Sequence, residues 1–454
     1  MAYSAAANQS SLNLGNLLKI LSEGAVYNQL STSSEIWQHI LKRKAAEDQG
    51  RQKRYEIITQ DGPAAVQATG FSSTAAFPAG QRSTLAEGIA QYKDIDLTVE
   101  YDLTLESRTG SDLMQYARPL AHEMDAKGIV ASRILSHMCM GDGSGAIGRI
   151  SAIDATATSN QITITLNATT ANAGRSHVGW FELGDIIKCA AEDSTARTLV
   201  DAGGTATTAQ VVDIDYDNNT ITIAKDPSNA SELTQDGAWA AGDYIYRKGT
   251  TPQDLSAIST NDYNTLSEYF PGLEALTEDN GILVNNITMS GAAGGSRYGN
   301  SGATLSKEAF QKLLSKVKRR VGAGRYKYTK ALMAHDTYDA MVAIADADKT
   351  FFNVVDFQSG AKKVGYTHGR DSLEFIPDEF VPKQRIYVLP DEKGVLEFHG
   401  RDFKRVKLGG QGEFLKTNGS GQYLKQSQAF MSAGGVLIAK HPAALGVLED
   451  FATS

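Results

Sequence analysis

An α+β fold, built from long strands, a long helix and a small β-barrel, is predicted by three patterns in the sequence. Apolar and polar residues alternate strictly from Ile95 to Leu105, as in a half-buried strand. Apolar residues recur every three or four positions from Leu113 to Met138, as in a helix. Between residues 149 and 247, a segment rich in Thr, Ile and Asp contains one β pattern twice. Helical and strand patterns thus occupy separate segments, which is typical of an α+β fold.

Composition and charge narrow the class of protein. The 454-residue chain is 41% hydrophobic and 21% charged, as in ordinary folded proteins, and its net charge of −8 gives no overall positive field for nucleic acid. Its two cysteines could not staple a fold of this size, so a reducing compartment fits best. The N-terminus lacks the pattern of a signal peptide, and no run of 18 apolar residues could span a membrane. We therefore expect a soluble protein made inside the cell.

The N-terminal third predicts an arm, an extended loop and a long helix. Residues 1–61 give short apolar stripes on polar helices, too small for a core, so this arm should pack on something else. Residues 62–106 join a Gly- and Ser-rich loop to the alternating strand, which predicts an extended β-hairpin. The helix that follows lies within residues 107–145; Pro119 should kink it and the glycines around Asp142 should end it.

The repeated β segment predicts an inserted barrel over residues 146–250. Three elements recur in the same order: Ile153-Asp154 as Ile214-Asp215, Ile162-Thr163-Ile164 as Ile221-Thr222-Ile223, and Phe181-x-x-Gly184-Asp185-x-Ile187 as Trp239-x-x-Gly242-Asp243-x-Ile245. Each unit reads as three strands with an aromatic-x-x-Gly-Asp turn before the last strand. Two such units can close into one small barrel, which removes their exposed edges.

The carboxylates Asp213, Asp215 and Asp217 faintly resemble a calcium-binding loop. Asn218 stands where that loop has glycine, and Ala224 stands where it has glutamate. The spacing therefore favours a solvated strand face followed by a turn over a metal site.

The C-terminal half predicts a second α+β unit. A helical fragment is expected at Leu266–Leu276, and a helix beginning after Thr304 or Ser306 should bury its apolar face. That helix ends in a basic cluster at residues 316–330, which favours a solvated face and leaves contact with an acidic neighbour or nucleic acid open. Strands follow around 373–398, and the last segment should close on a Pro-capped turn.

No motif for catalysis or cofactor binding stands out. The eight histidines are scattered, and the sequence has no HExxH, Walker loop, G-x-S-x-G elbow or CxxC pattern. We therefore predict no catalytic, cofactor-binding or metal-binding residues, and we do not expect an enzyme.

The order of segments resembles the major capsid proteins of tailed bacteriophages, which have the Johnson fold shared with encapsulins and herpesvirus shells. Two passages add to this resemblance: Gly272–Leu276, which reads GLEAL, and Leu373–Lys383, which runs into the strand Arg385–Leu389. The resemblance implies seven segments: an N-terminal arm (1–61), an extended loop (62–106), a spine helix of the peripheral domain (107–145), an inserted barrel (146–250), a peripheral linker (251–284), an axial domain (285–398) and terminal peripheral strands (399–454).

The same resemblance implies a structural subunit that self-assembles into an icosahedral capsid around viral double-stranded DNA. Its partners would be its own copies in hexamers and pentamers, with scaffolding, portal or decoration proteins as further candidates, and it would need no cofactor, membrane or sequence-specific DNA contact. It would be made in the host cytoplasm and located in the virion. An encapsulin-like compartment, or a phage tail or surface β-protein that binds glycans, are the alternatives.

Candidate contacts between subunits lie in the arm, the loop and the basic cluster of the C-terminal half. They are Phe71, Phe77, Arg82, Tyr92, Lys93, Arg43, Lys44, Arg51, Arg54, Arg319 and Arg320. In some relatives a loop lysine is cross-linked to an asparagine of a neighbour. Lys93 is the only lysine between residues 54 and 126, but no partner asparagine can be identified, so we predict no cross-link.

Overall fold

The computed structural model describes residues 36, 40–44, 52–60, 84–102, 130–167, 174–228, 231–256, 269–322, 324–347, 365–368, 371–392, 394–405, 414–417 and 423–452. The chain forms two compact units. The first comprises Met1–Gln49, Tyr92–His137 and Phe398–Val436, and the second comprises Gly50–Gln91, Met138–Glu397 and Leu437–Ser454.

The elements are numbered in chain order. Before the barrel lie β1 (Leu41–Lys44), β2 (Gln52–Gln60), β3 (Thr84–Gln91), β4 (Lys93–Asp102) and helix α1 (residues 130–140). The barrel region contains β5 (Ala146–Ile153), β6 (Ile162–Leu166), β7 (Ile186–Ala190), β8 (Leu199–Asp201), β9 (Gly204–Ala206), β10 (Ala209–Asp215), β11 (Thr220–Lys225), β12 (Leu233–Gln235) and β13 (Tyr244–Arg247). After it lie α2 (Leu273–Leu276), β14 (Leu283–Val284), β15 (Ile287–Thr288), β16 (Ser296–Thr304), α3 (Lys307–Val321), β17 (Tyr328–Met333), α4 (His335–Ala347), β18 (Gly365–His368), β19 (Asp371–Pro377), β20 (Arg385–Pro390), β21 (Leu396–Arg405), β22 (Phe414–Thr417), β23 (Tyr423–Ala439) and β24 (Gly446–Ala452).

The first unit contains the sheet β1-β21-β23-β22, to which β4 adds by pairing with β23. The pairing of β4 is antiparallel and runs from Lys93 opposite Gly435 to Asp102 opposite Gln426. The predicted alternating strand is therefore confirmed up to Asp102, and its last three residues lie outside the described part. The loop with which it was expected to form a hairpin lies largely outside the described residues, and the partner that the structure describes for β4 is a strand more than 300 residues away.

The prediction of a helical arm is wrong for the part of the arm that the structure describes after residue 40. Residues 41–44 and 52–60 are strands, and β2 pairs antiparallel with β3. Along β2 the buried Tyr55 and Ile57 alternate with the exposed Arg54 and Glu56, which is the pattern of a strand with one covered face. The hairpin thus begins about ten residues earlier in the chain than predicted.

Helix α1 lies within the segment predicted as the spine helix. It ends before Gly141, as predicted from the glycines there, and Gly143 adopts a left-handed φ of +93°. Pro119 and the predicted helix start lie outside the described residues.

A six-stranded sheet of described strands, β16-β24-β20-β17-β19-β18, forms the core of the second unit. Helix α3 packs on it and buries Phe310, Leu313, Leu314 and Val317, as predicted. Ser306 caps this helix, because its hydroxyl oxygen accepts a hydrogen bond from the backbone N–H of Ala309.

Two expectations for the C-terminal half need correction. Of the helical fragment predicted at Leu266–Leu276, the described part contains only the short helix α2, because Gly272 is extended and begins a new turn. The second correction concerns the Pro-capped turn, which was predicted to end the last segment. That turn, Pro442–Ala444, leads into β24, which pairs in parallel with β16 and antiparallel with β20. The last strand therefore lies in the sheet formed by residues 296–390 and not with the strands before it.

The predicted barrel is confirmed. Six strands close in the order β10-β11-β6-β5-β13-β7, and they are the strands of the two sequence repeats. The repeats are related by a pseudo-two-fold axis, since residues at equivalent repeat positions pair with each other. Thr163 lies opposite Thr222 in β6 and β11, and Lys188 lies opposite Tyr246 in β7 and β13.

The Gly-Asp turns repeat this symmetry in detail. The N–H of Gly184 donates to the carbonyl oxygen of Val211, and the N–H of Gly242 donates to that of Ile150, each at 2.8 Å. Both glycines have left-handed φ angles, +93° and +98°, which explains why the repeat keeps glycine there. The carboxylate of the following aspartate then accepts a backbone N–H within the turn in both copies.

One side of the barrel is held by the segment Glu379–Lys383 of the same unit. The indole Nε1 of Trp180 donates to the carbonyl oxygen of Phe380 at 2.9 Å. The ring of His177 contacts the carbonyl oxygen of Glu379 at 2.7 Å through Nε2. Burial lowers the pKa of His177 to about 4, so the neutral ring donates this hydrogen bond at physiological pH. The barrel is therefore attached through buried polar contacts and not only through its chain connections.

Replacing Trp180 with Phe should lower the free energy of unfolding by about 1–3 kcal/mol, because the buried carbonyl of Phe380 loses its donor. Trp239→Phe is the matched control. The indole N–H of Trp239 is buried and has no hydrogen-bond partner among the described residues, and the equivalent repeat position already holds Phe181. Chemical denaturation should show a loss for the first variant and little change for the second; equal losses would contradict the assigned role of Trp180.

In the part of the chain that the structure describes, no helix is both long and apolar enough to cross a membrane.

Candidate assembly surface

The hairpin formed by β2 and β3 has one buried and one exposed face. Tyr55, Ile57 and Ala90 are buried, whereas Arg54 and Leu85 are exposed. Arg54 pairs with Glu87 across the two strands at 3.3 Å, and both side chains remain in solvent. Such an exposed ion pair contributes little to stability, so it leaves Arg54 free to exchange partners.

A second, very short hairpin anchors the first. Strands β14 and β15 are joined by Asn285 and Asn286, whose φ angles of +51° and +65° are those of a type I′ turn. The carbonyl oxygen of Asn285 accepts the N–H of Ile89 at 2.7 Å, and its side-chain amide donates to the hydroxyl of Tyr55 at 3.2 Å. Burial raises the pKa of Tyr55 well above its ordinary value, and the hydrogen bond from Asn285 offsets this only in part. The buried hydroxyl therefore stays protonated, and the hairpin is fixed to the unit by this polar contact.

Gly88 is required at this anchor because there is no room for a side chain. A Cβ atom there would lie 2.5 Å from Cζ of Tyr55 and 2.8 Å from Cδ1 of Ile287. A larger residue would have to move the buried ring away from Asn285.

Gly88→Ala should therefore destabilise the hairpin by about 1–3 kcal/mol, as expected for overpacking of a buried contact. Gly249→Ala is the control, since a Cβ atom there would contact nothing within 4 Å. Hydrogen exchange of residues 52–60 and 84–91 should accelerate in the first variant only. Unchanged exchange in Gly88→Ala would show that Tyr55 does not anchor the hairpin.

A cluster of buried charged side chains lies within the second unit. Glu274 of α2 is buried and contacts Arg297 at 2.7 Å and Arg385 at 3.0 Å, and the hydroxyl of Tyr387 donates to it at 2.7 Å. Both arginines also pair with Glu449 of β24. Burial alone would raise the pKa of Glu274, but the two guanidinium groups outweigh it and hold that pKa far below the ordinary value. The two passages that carried the family resemblance, GLEAL and the strand Arg385–Leu389, thus meet at one ion pair.

Glu278 is the third carboxylate of this cluster, which has only two arginines. It lies 3.3 Å from Arg297, farther than Glu274 and Glu449 do. Burial, together with the negative charges of Glu274 and Glu449, raises the pKa of Glu278 to about 7 despite Arg297. The folded protein therefore holds a proton on Glu278 at pH values where the unfolded chain has released it.

The free energy of unfolding should consequently fall as the pH rises from about 4.5 through about 7, because ionising Glu278 costs stability only in the folded state. Glu278→Gln mimics the protonated form, so it should match the unmodified protein at pH 5 and exceed it at pH 8 by on the order of 2 kcal/mol. Denaturation at both pH values measures this. The exposed Glu192→Gln is the control, and a Glu278→Gln effect equal at both pH values would refute the assignment.

The structure describes the side chains of five of the eleven predicted contact residues. Phe71, Phe77, Arg82 and Arg51 lie outside the described residues, and Arg43 and Lys44 lie in β1, of which only the backbone is described. Tyr92 is buried and Lys93 half-buried at the start of β4, whereas Arg54 and Arg319 are exposed. Arg320 contacts Asp279 within its own unit at 2.7 Å. Contact of any of these residues with another subunit stays a prediction.

Three of the seven basic residues in the cluster at 316–330 pair with acids of their own unit. Lys316 and Arg320 pair with Asp279, and Lys318 pairs with Asp371 at 2.5 Å. The acids were too far away in sequence to be recognised as partners.

Asp213, Asp215 and Asp217 form a turn and not a cage. The carboxylate of Asp215 accepts the backbone N–H groups of Asp217 and Asn218, both at 3.0 Å. Among the described residues, no group of three His, Cys, Asp or Glu side chains is arranged to hold a metal ion.

Sequence reasoning missed three residues of this region: the exposed Leu85, the anchoring Asn285 and the buried Glu274. The Asn-Asn pair between two short apolar runs was a usable signal for a tight hairpin. Neither Leu85 nor Glu274 differs locally from ordinary residues of its type.

Comparison with solved structures shows a likeness over most of the chain. The cyanophage A-1(L) capsid asymmetric unit matches with 9% identity and a TM-score of 0.43, over 91% of this chain and 90% of that one. The capsid of a native GTA particle matches with 10% identity and a TM-score of 0.44, over 92% and 90%. A virus-like particle from Pyrococcus furiosus matches with 8% identity and a TM-score of 0.36, over 95% and 98%. No protein-family model and no curated protein matches the chain.

Proposed function

We propose that this chain is a structural subunit that assembles with copies of itself into an icosahedral capsid around viral double-stranded DNA. The observation that carries this proposal is the β2–β3 hairpin. It is a two-stranded ribbon of nine and eight residues, anchored on one face and exposed on the other. Two-stranded ribbons gain stability from a further packed surface. A second copy of the chain supplies that surface in a shell.

Leu85 gives the exposed face of the hairpin an apolar contact point. It is 58% exposed, although most large apolar side chains of the described residues are buried. A contact of this kind is small in one subunit and is multiplied when every subunit of a closed shell makes it. The hairpin therefore suits a subunit that makes the same contact in every copy of a closed shell.

The charge of the chain suits a container for DNA. With a net charge of −8 the subunit does not bind nucleic acid tightly along its whole surface, so enclosed DNA remains free to leave. This supports enclosure without sequence-specific binding.

Electron microscopy of the purified full-length chain, over a range of protein and salt concentrations and with candidate scaffolding protein, tests the proposal. Closed particles of uniform diameter are the expected result, and persistent monomers under all conditions would overturn it. Nuclease-protected DNA in particles isolated from infected cells supports a capsid. A protein cargo without DNA would instead indicate an encapsulin-like compartment, and monomers that bind glycans would indicate a surface protein.

Leu85→Asp should raise the protein concentration needed for assembly by about tenfold, since about 1.4 kcal/mol per contact corresponds to a factor of ten. Ala240→Asp, which adds the same charge at an exposed turn of the barrel, is the control. Light scattering measures assembly, and circular dichroism checks that both variants fold. Equal assembly of the two variants would remove Leu85 from the contact.

A further inference from the structure

The barrel carries two of the three large apolar side chains that are strongly exposed among the described residues. They are Leu183, which is 68% exposed, and Tyr216, which is 53% exposed. Both lie along the seam between β7 and β10. The N–H of Val211 donates to the carbonyl oxygen of Asp185, so Leu183 lies beside the middle of β10. Tyr216 follows the last residue of β10, roughly 10 Å farther along at about 3.3 Å per residue.

Acidic side chains flank this apolar pair. Asp213 and Asp217 are exposed and Glu182 is half-exposed. We call Glu182, Leu183, Asp213, Tyr216 and Asp217 the seam patch.

Among the described residues, Arg247 and Lys383 lie close to the seam patch. Arg247 interacts electrostatically with Glu182 and pairs with Asp185 at 3.4 Å. Lys383 donates to the carbonyl oxygen of Tyr216 at 2.9 Å and pairs with Asp336 at 2.9 Å. It fixes the turn in place, and because it is already paired with Asp336 it leaves the patch with an excess of negative charge. The whole barrel segment, residues 146–250, has 13 acidic and seven basic side chains.

The barrel fold itself does not require the seam patch. The pseudo-two-fold axis provides an internal comparison, because every patch position has an equivalent in the other half of the barrel. Leu183 corresponds to Ala241, Glu182 to Ala240, and Tyr216 to Ala155. The other half closes with the same hydrogen bonds around these small residues. The patch residues therefore serve something other than barrel closure.

We propose that the seam patch binds the basic segment at residues 42–54 of a second copy of this chain. This proposal rests on the self-assembly proposed above and names the surface that receives the neighbouring subunit. Residues 42–54 contain six basic and two acidic side chains, which complement the charge of the patch. Among the described residues of its own chain, Arg54 makes only the exposed, weak ion pair with Glu87, and its side chain is 69% exposed. The apolar pair supplies the desolvated centre, and the charges around it select a basic partner.

Cross-linking between two differently labelled chains tests this contact directly. One chain carries Gln52→Cys and the other carries Val212→Cys, so all charges of both surfaces are kept. The natural Cys139 and Cys189 are buried and do not compete. Assembled mixtures treated with a short bismaleimide should give covalent heterodimers, and unassembled mixtures should not.

Charge reversal gives an independent test. Asp213→Lys with Asp217→Lys should raise the concentration needed for assembly by about tenfold, through the loss of complementary charge. Asp154→Lys is the control, since Asp154 is exposed and occupies the position equivalent to Asp215 in the other half of the barrel. Adding Lys53→Glu and Arg54→Glu to the reversed chain should restore assembly.

The outcomes separate the two proposals. If the unmodified chain forms no particles, self-assembly fails and the contact fails with it. If particles form without the heterodimer, or Val212→Cys chains link only to each other, the seam patch does not bind residues 42–54. Assembly of the reversed chain at the same concentration as Asp154→Lys would also overturn the contact and leave the capsid proposal standing.

Discussion

The buried carboxylate of Glu274 is the constraint on which the second unit depends. A charge removed from water costs several kcal/mol unless its partners are in place, and here the partners are Arg297 of β16 and Arg385 of β20. Glu449 of β24 then satisfies both arginines from the other end of the sequence. Each of these four side chains has its ionic partners on other elements, so removing one element leaves the remaining buried charges with fewer partners. The four elements therefore have to be assembled together, and the six-stranded sheet is complete only when the last strand of the chain is inserted.

The barrel shows the opposite arrangement, in which local sequence is sufficient. Its two repeats pair through equivalent residues, Thr163 with Thr222 and Lys188 with Tyr246. A local pattern that occurs twice in the sequence therefore specifies a closed structure. Closure removes the exposed edges that each three-stranded repeat would have alone. The two halves differ at buried positions such as Phe181 and Trp239 and also on the outer surface, where Leu183 corresponds to Ala241. The contacts of Trp180 and His177 attach the barrel through this surface, and the seam patch lies beside them, since Lys383 of the attaching segment donates to the carbonyl oxygen of Tyr216.

The contrast explains how much of the molecule could be predicted from sequence. The barrel was predictable because its signal is a repeat, and α3 was predictable because Phe310, Leu313 and Val317 recur at helical spacing. Strand β2 was missed because its polar positions hold Lys53, Arg54 and Glu56, which read as a charged helix end. The pairing of β4 with β23 and the ion pairs of Glu274 could not be predicted, because the partner strand of β4 lies more than 300 residues away and the arginine partners of Glu274 lie 23 and 111 residues away. Local patterns report which face of an element is covered, but they do not report what covers it.

The same distinction applies to the charges that remain available for association. Three of the seven basic residues at positions 316–330, namely Lys316, Lys318 and Arg320, pair with Asp279 and Asp371 within the unit. The carboxylates of the Gly-Asp turns are likewise bound to backbone N–H groups. Among the described residues, exposed acidic side chains lie on the barrel, and exposed basic ones include Arg319, Arg325 and Lys327 and, at the start of the β2–β3 hairpin, Arg54, which makes a weak, exposed ion pair. The proposed contact joins charges of opposite sign on two copies of the chain, and the attraction between such charges weakens as salt is added. Assembly of this chain should therefore be steered by long-range attraction and then held by the apolar contacts of Leu85, Leu183 and Tyr216.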